Sequence, residues 1–461
     1  MLLFGSPAAL GADGSGVPAH RSNVLVIVID AWRADRLGAS SAGAPLTPFL
    51  DSLAARAYVF GRAYTAAGNT SPSVASLLTA RYPARHGVRW FDSVLDPRVV
   101  TLPALLRDHG FATGLFTPMP LFGGAETGVD VYRQIVFAMP ARVGAAEVNA
   151  AAFRWMDGRE RDPQRPLFLL LHYTDVRPPY IAPPAFMQRV TGRFKREDER
   201  DLVDMVRRAN RWYLEGQDRP LRQTEMAEIT AVYDASVMAL DAQVRSLFKA
   251  LEQRRFLDDA IVVITADRGE DLHEHGDVRL PGTLWETRFR VPLLLLVPGT
   301  STRTDVSVPA SLVDVAPTVL DLLGLPVPAG VDGRSRVPSL RPEATRWSLR
   351  SWLGWRPESS EVVYGEMPGH RGTRRSMHQR AVVQGTDELL VSRNGRRAYF
   401  DLKTDPDERH PSGLDRAARE RLDRALDALD TSFASQRGPT PARPLGPRDV
   451  AELRALGYYG E

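Results

Sequence analysis

Three apolar runs limit what this 461-residue chain can fold into more than any other feature of its sequence. Asn23 to Ile29 is an almost unbroken series of Val, Leu and Ile, and similar runs follow at Pro166 to His172 and Ile261 to Ala266. Runs without polar alternation are typical of strands that a parallel sheet buries on both faces. Helical patterns such as Met226 to Leu251 separate them. We therefore predict an α/β fold with a mostly parallel sheet flanked by helices.

The pattern changes after residue 325. A Pro- and Arg-rich stretch comes first, followed by short apolar segments joined by turns such as Asn394-Gly395 and by a charged amphipathic segment from Ser412 to Gln436. Short strands with tight turns favour an antiparallel sheet. We predict a main domain over 23–325 and a linker with a smaller C-terminal antiparallel α+β domain over 326–461.

The first 22 residues form an apolar, small-residue leader without a basic start. If the leader is a signal peptide, the protein is periplasmic or secreted; otherwise it is cytoplasmic. No later segment approaches the roughly 20 apolar residues of a membrane helix, so no membrane span is predicted.

Composition excludes several classes of function. The formal charge is only +3, from 59 basic and 56 acidic residues, so we expect no nucleic-acid partner. The chain contains no cysteine, which excludes disulfides, zinc thiolate sites and thiol nucleophiles.

Three polar residues stand where chemistry collects in α/β folds. Asp30 follows the first apolar run, Asp267 follows the third, and Thr70 precedes a helix predicted to start at Pro72. The carboxyl ends of parallel strands meet at one edge of the sheet, so we expect the three to converge in one cleft. Each residue alone is also explained by a turn or a helix cap. Together they could supply oxygen ligands to a divalent ion.

Residues 69–83 with His86-Gly87-Val88 resemble the signature around the catalytic nucleophile of the sulfatase family, within the alkaline phosphatase superfamily. Further segments agree with that family in the same order along the chain. They are 26–30, 47–54, 172–175, 265–270, 284–286, 290–292, 314–318, 399–402 and 405–406. The resemblance implies an alkaline phosphatase-like fold.

The resemblance also implies a metallo-hydrolase that acts on an anionic ester substrate, a sulfate or phosphate ester. By motif match Thr70 takes the nucleophile position, and Asp30, Thr70 and Asp267 take positions of metal ligands. His172 and Arg268 are placed beside the anion as catalytic residues. The implied ion is Ca²⁺, with Mg²⁺ or Mn²⁺ as alternatives.

Several positions depart from the family pattern. Thr70 replaces the Cys or Ser that is oxidised to formylglycine, and Val74 replaces the Arg of that motif. Arg268 stands where relatives carry His or Asn, and a guanidinium has no lone pair to give a metal. Three further positions depart from the pattern. Ala31 replaces a second acidic ligand, Arg177 replaces a His, and Pro281 replaces a Lys.

These departures leave two interpretations of function. The first is a hydrolase in which Thr70 attacks the ester. The second is a catalytically inactive member of the family that keeps the fold and an anion-binding pocket.

Thr70 is expected to remain unmodified, because the segment has neither the Cys nor the Arg of the formylglycine motif. Intact-mass analysis of the purified protein checks this. A mass that requires an aldehyde-bearing residue at position 70 would contradict it.

Overall fold

A computed structural model gives the conformation of most of the chain. It describes residues 22–41, 43–135, 144–158, 165–190, 199–215, 221–272, 274–275, 283–340, 361–367, 379–411, 413–435 and 441–455. Residues 1–21 of the predicted leader and Pro281 lie outside these residues.

The strands of the described chain lie between Asn23 and Asp401. They are β1 (Asn23–Ile29), β2 (Ser40–Ser41), β3 (Ala44–Pro45), β4 (Tyr58–Phe60), β5 (Ala63–Tyr64), β6 (Ala112–Thr117), β7 (Val131–Gln134), β8 (Leu167–Tyr173), β9 (Ala260–Ala266), β10 (Arg290–Val291), β11 (Leu293–Leu296), β12 (Thr304–Val306), β13 (Ala310–Ser311), β14 (Val362–Met367), β15 (Gln379–Gln384), β16 (Asp387–Ser392) and β17 (Arg397–Asp401).

Helices connect most of the strands of the large sheet. They are α1 (Pro48–Ala54), α2 (Thr70–Thr79), α3 (Pro83–His86), α4 (Leu102–Asp108), α5 (Ala145–Asp157), α6 (Pro184–Val190), α7 (Glu199–Glu215), α8 (Gln223–Gln253), α9 (Glu286–Phe289), α10 (Val315–Leu322), α11 (Arg416–Ser435) and α12 (Pro447–Ala455).

An eight-stranded sheet forms the core, in the order β12-β4-β11-β9-β1-β8-β6-β7. The five strands from β9 to β7 are parallel, and β11 is antiparallel to both of its neighbours. All residues of β8 and β9 are buried, as is β1 from Val24 onward. Helices flank this mostly parallel sheet, so the predicted fold class is confirmed.

A separate four-stranded antiparallel sheet, β14-β15-β16-β17, follows in the C-terminal part of the chain. Helix α11 packs its apolar side against it, where Leu422 and Leu426 join Val382 and Leu389 in one buried cluster. This is the predicted smaller antiparallel α+β part. The positions of the domain boundaries stay predictions.

Two local expectations were wrong. The pattern predicts a helix from Thr47 to Tyr58, but α1 ends at Ala54 and Tyr58 begins β4, because Tyr58 pairs with Leu295 of β11. Helix α2 begins at Thr70 rather than at Pro72. A proline in the first turn is compatible with a helix, because the N–H groups there have no intrahelical acceptor.

Within the described residues, no helix combines the length and the apolar character that crossing a bilayer requires.

The turn after β1 is held from the opposite helix. The Tyr233 hydroxyl on α8 donates to the Ala31 carbonyl at 2.8 Å and accepts from the Arg33 N–H at 3.0 Å. Ala31 has a φ of 67°, which is uncommon for a residue with a side chain. Tyr233 is fully buried and therefore fixes the path of the chain directly after Asp30.

Replacing Tyr233 by Phe is expected to lower the free energy of unfolding by about 1–3 kcal/mol, because it leaves two buried backbone groups without a partner. Urea denaturation measures this. Tyr58→Phe, at a half-buried tyrosine on β4, is the matched control and should change stability little. Equal stability of the Tyr233→Phe variant and the wild type would show that this hydroxyl does not hold the turn.

Candidate functional site

Three potential ligand groups meet at the carboxyl edge of the large sheet. Asp30 follows β1, Asp267 follows β9, and His172 is the last residue but one of β8. Strand β1 lies between β8 and β9, with Ile29 paired to both Tyr173 and Ala266. One ligand atom from each of the three groups lies within 4.8 Å of the others, so they form a group that could hold a metal ion. The predicted convergence of Asp30 and Asp267 is therefore present, and the structure adds His172.

Thr70 joins this group from the first position of α2. Its side chain hydrogen-bonds the carboxylate of Asp267 and is fully buried. The start of α2 is fixed to the same residue, because the hydroxyls of Ser73 and Thr65 donate to the Asp267 carbonyl at 2.7 and 2.5 Å. Thr70 thus lies with Asp30 and Asp267, as expected. Its roles as nucleophile and as metal ligand stay predictions.

The hydrogen bonds of His172 determine its tautomer. The Thr117 hydroxyl donates its single proton to the Met119 carbonyl at 3.0 Å, so it accepts from His172 Nδ1–H, also at 3.0 Å. Nε2 then carries a lone pair, and this buried atom has no hydrogen-bond partner within the described part of the chain. Burial lowers the pKa of His172 to about 4, so the ring is neutral at pH 7. A neutral imidazole with a lone pair on Nε2 suits a cation or a proton donor rather than an anion.

Two buried arginines share the carboxylate of Asp30. Arg268 Nη2 lies 2.9 Å from Asp30 Oδ1, and Arg177 Nε lies 3.3 Å from Oδ2. Arg268 Nη1 also donates to the Gly269 carbonyl at 3.0 Å and pairs with Glu270 at 3.2 Å. The two arginine side chains are 0 and 2% exposed. The positive charge of Arg268 therefore lies directly on one of the predicted metal ligands.

This pairing opposes a divalent ion. An ion bound to Asp30 Oδ1 at about 2.3–2.6 Å would lie within about 5.5 Å of Arg268 Nη2, given the 2.9 Å ion pair. At an effective dielectric constant of 20, a double and a single positive charge at that distance repel by about 6 kcal/mol. Ca²⁺ also prefers six to eight oxygen ligands, whereas this group offers two carboxylates and an imidazole. While Arg268 holds Asp30, the residues do not fit Ca²⁺, Mg²⁺ or Mn²⁺.

Burial also acts on Asp267. Desolvation, followed by the nearby charge of Asp30, raises the pKa of Asp267 to about 7, although Arg268 and the Thr70 hydrogen bond oppose the shift. Asp267 Oδ2 is buried and has no hydrogen-bond partner among the described residues. This carboxylate can therefore accept a proton near neutral pH.

Sequence reasoning missed three residues that shape the site. Thr117 sets the tautomer of His172, and Glu270 holds Arg268. Asn69 is the N-cap of α2, and both polar atoms of its buried side chain have no hydrogen-bond partner in the described residues. Asn69 and Glu270 had a sequence signal, because they belong to segments 69–83 and 265–270 that resemble the family, whereas Thr117 had none.

Comparisons with known proteins show the family of this chain. The family model described as Sulfatase matches residues 22–325. The multifunctional alkaline phosphatase superfamily protein PehA of Trinickia caryophylli is 25% identical over 473 aligned positions, which cover 84% of this chain and 90% of that protein.

Two solved structures show the same fold. One is a protein in complex with its substrate D-glucosamine-2-N,6-O-disulfate, with a TM-score of 0.72, 18% identity and coverage of 90% of this chain and 98% of that chain. The other is the phosphonate monoester hydrolase of Agrobacterium radiobacter, with a TM-score of 0.68, 22% identity and coverage of 90% and 96%.

His172 is expected to stay neutral and protonated on Nδ1 from about pH 5.5 to 8, because burial lowers its pKa to about 4. Nitrogen-15 NMR of the metal-free protein checks this, and the variant His172→Gln identifies its signals among those of the nine histidines. Titration of these signals near pH 6.5, or a proton on Nε2, would contradict the assignment.

Proposed function

Since this chain belongs to the sulfatase family, we propose that it hydrolyses a sulfate or phosphoryl ester, with Thr70 as the nucleophile. One observation carries the proposal. The Thr70 hydroxyl lies at the start of a buried ten-residue helix and is hydrogen-bonded to a carboxylate that can take its proton. A nucleophile beside a general base is the arrangement that covalent catalysis requires.

In the first step the Thr70 oxygen attacks the sulfur or phosphorus atom. Its proton moves to Asp267, a bond forms between Thr70 Oγ1 and the attacked atom, and the bond to the leaving oxygen breaks. The alcohol leaves as its anion, which is easiest for an aryl ester. In this proposal the guanidiniums of Arg177 and Arg268, which both contact Asp30, stabilise the negative charge on the transferred group, and the N-terminus of α2 adds a favourable dipole.

In the second step a water oxygen attacks the same sulfur or phosphorus atom, and the bond from that atom to Thr70 Oγ1 breaks. Asp267 returns its proton to Thr70 Oγ1, the transferred group leaves as sulfate or phosphonate, and the proton lost by the water passes to solvent. The lone pair on His172 Nε2 can accept a hydrogen bond from that water, which gives this predicted catalytic residue a role in orienting it. No proposed step uses Ca²⁺, Mg²⁺ or Mn²⁺, because the ion pair with Arg268 occupies the Asp30 carboxylate.

The charges of the site favour an ester with one negative charge. Arg177 and Arg268 are opposed by Asp30 and Asp267, so the four groups balance when both carboxylates are ionised. Only the helix dipole then adds positive potential. A second negative charge on the substrate would lack a partner in this buried environment. Sulfate monoesters and phosphonate monoesters carry one negative charge, whereas a phosphate monoester carries up to two.

The names of the relatives are consistent with this preference. PehA is called multifunctional, and the Agrobacterium enzyme is a phosphonate monoester hydrolase. These names describe those proteins. For this chain we propose a monoanionic ester, with the organic group left open.

A second candidate function is anion binding without turnover. The commitment of Asp30 to two guanidiniums favours it, because this pairing removes a carboxylate from a cation-dependent mechanism. A wild-type protein that binds sulfate or phosphate and cleaves none of the test esters would establish this second function.

Replacing Thr70 by Val is expected to lower turnover of an aryl sulfate or an aryl phosphonate monoester by about a thousandfold or more, because it removes the attacking oxygen and little volume. Steady-state kinetics with nitrophenyl esters measures the loss, and the aryl phosphate monoester should be the poorest of the three substrates.

Thr79→Val is the matched control. Thr79 is buried at the other end of the same helix, where its hydroxyl donates to the Ala75 carbonyl at 2.7 Å. Its replacement should leave turnover unchanged. Equal activity of the Thr70→Val variant and the wild type would disprove Thr70 as the nucleophile.

A further inference from the structure

We propose that Arg268 supplies, from within the chain, the positive charge that a divalent ion would otherwise bring, so that the site binds its oxyanion without a metal. The inference deepens the proposed function, because it names what holds the negative charge of the ester. It predicts a site whose affinity for anions depends on residue 268 and not on added cations.

The Arg268 charge lies at a predicted metal ligand. Its Nη2 is 2.9 Å from Asp30 Oδ1, and Asp30 is one of the three groups that could hold an ion. A guanidinium and a metal ion at the same carboxylate oxygen exclude each other by charge. The Arg268 guanidinium therefore already supplies the positive charge that pairs with the Asp30 carboxylate.

The Arg268 side chain is fixed in place by its contacts. Nη1 contacts the Gly269 carbonyl at 3.0 Å and Glu270 at 3.2 Å, and the side chain is only 2% exposed. The backbone at Gly269 lies directly against its neighbour, since a Cβ there would be 2.1 Å from the Thr287 carbonyl oxygen. A buried guanidinium held from two sides acts as a preorganised charge, which is how an enzyme stabilises an anion most effectively.

The buried charged groups around Arg268 balance one another. Arg177, Arg268 and Arg288 face Asp30, Asp267 and Glu270, with Arg288 Nη2 3.5 Å from Glu270. Three positive and three negative groups balance in a buried site, where an uncompensated charge is costly. A divalent ion would add two unpaired positive charges. Without Arg268 the same site would carry one surplus negative charge and would attract a cation.

Asn69 offers a donor for the anion. It is the N-cap of the ten-residue helix α2, is 1% exposed, and leaves both polar atoms of its side chain without a hydrogen-bond partner among the described residues. A buried unpaired amide costs free energy unless a ligand satisfies it. Its Nδ2 can donate to an oxyanion at the helix N-terminus, where the dipole also favours negative charge.

The test measures anion binding and metal binding on the same protein. Wild-type protein is passed over chelating resin, its divalent content is verified by mass spectrometry, and two anions with a single negative charge, methanesulfonate and methyl methylphosphonate, are titrated by calorimetry. Binding without any divalent ion is expected. If neither anion binds until Ca²⁺, Mg²⁺ or Mn²⁺ is added, the inference is overturned, whatever the variants do.

Arg268→Gln removes the charge and keeps a planar amide. It is expected to weaken binding of both anions by about 10- to 100-fold, as the loss of a charge-assisted contact does, and to tighten Mn²⁺ binding at least about tenfold. Arg268→Lys keeps the charge and should retain anion affinity within about tenfold. Two outcomes would refute the claim that the charge of Arg268 takes the place of a divalent ion. They are a Gln variant that binds anions as tightly as the wild type, and a Lys variant that binds them as weakly as the Gln variant.

Arg254→Gln is the matched control, because Arg254 pairs with Asp157 beyond the end of α8, near the residues that precede β9. It should leave both affinities unchanged, and circular dichroism verifies the folding of each variant. The outcome separates this inference from the proposed function. Anion binding without ester turnover supports the inference alone, whereas turnover that appears only with an added divalent ion supports hydrolysis and overturns the inference.

Discussion

The carboxylate of Asp30 and its two buried guanidiniums hold the candidate site together. Arg177 follows β8 and Arg268 follows β9, so this one carboxylate joins the segments after both strands that flank β1. The three strand ends would otherwise bring buried charges into an environment where each one is costly. Breaking a buried ion pair by removing one partner typically costs about 3–5 kcal/mol. The chemistry of the site and the packing of the sheet edge therefore depend on the same contact.

The surroundings of this contact leave little freedom to the reacting groups. Tyr233 fixes the turn after Asp30, and Thr65 and Ser73 fix the backbone of Asp267 relative to α2. These side chains are buried, so each hydrogen bond is protected from competition by water. Precise placement of a nucleophile and its base contributes more to a rate than the identity of the fold does. A sheet edge with these fixed points supplies that placement.

Among the expected departures from the family pattern, Arg268 makes the shortest ion pair with the predicted metal ligand Asp30. It brings a positive charge and has no lone pair to give a metal. The fold tolerates this change because Asp30 and Glu270 are already in reach of the guanidinium. The proposed consequence is a site on a sulfatase-family fold whose charges suit an anion. Fold alone does not determine function, so this proposal depends on the contacts of Arg268.

The sequence by itself determined the parts that depend on local pattern. The limits of β1 were predicted to the residue, and β8, β9 and α8 were found within about three residues, because long apolar runs and helical periodicity report burial directly. The motif around Thr70 identified the family. The position of Asp30 and Asp267 after parallel strands, with Thr70 at a helix start, predicted that the three residues lie close together.

Only the tertiary structure decided what these residues contact. The partner of Asp30 lies 238 positions away at Arg268, and the tautomer of His172 depends on Thr117, which belongs to another strand. The start of β4 at Tyr58 depends on pairing with Leu295. Local propensity carries no information about such distant partners, because side-chain charge and hydrogen bonding act through space rather than along the chain. The sequence could therefore locate the candidate site, whereas the ion pairs and the protonation of its residues could be derived only from the packing of the strand ends.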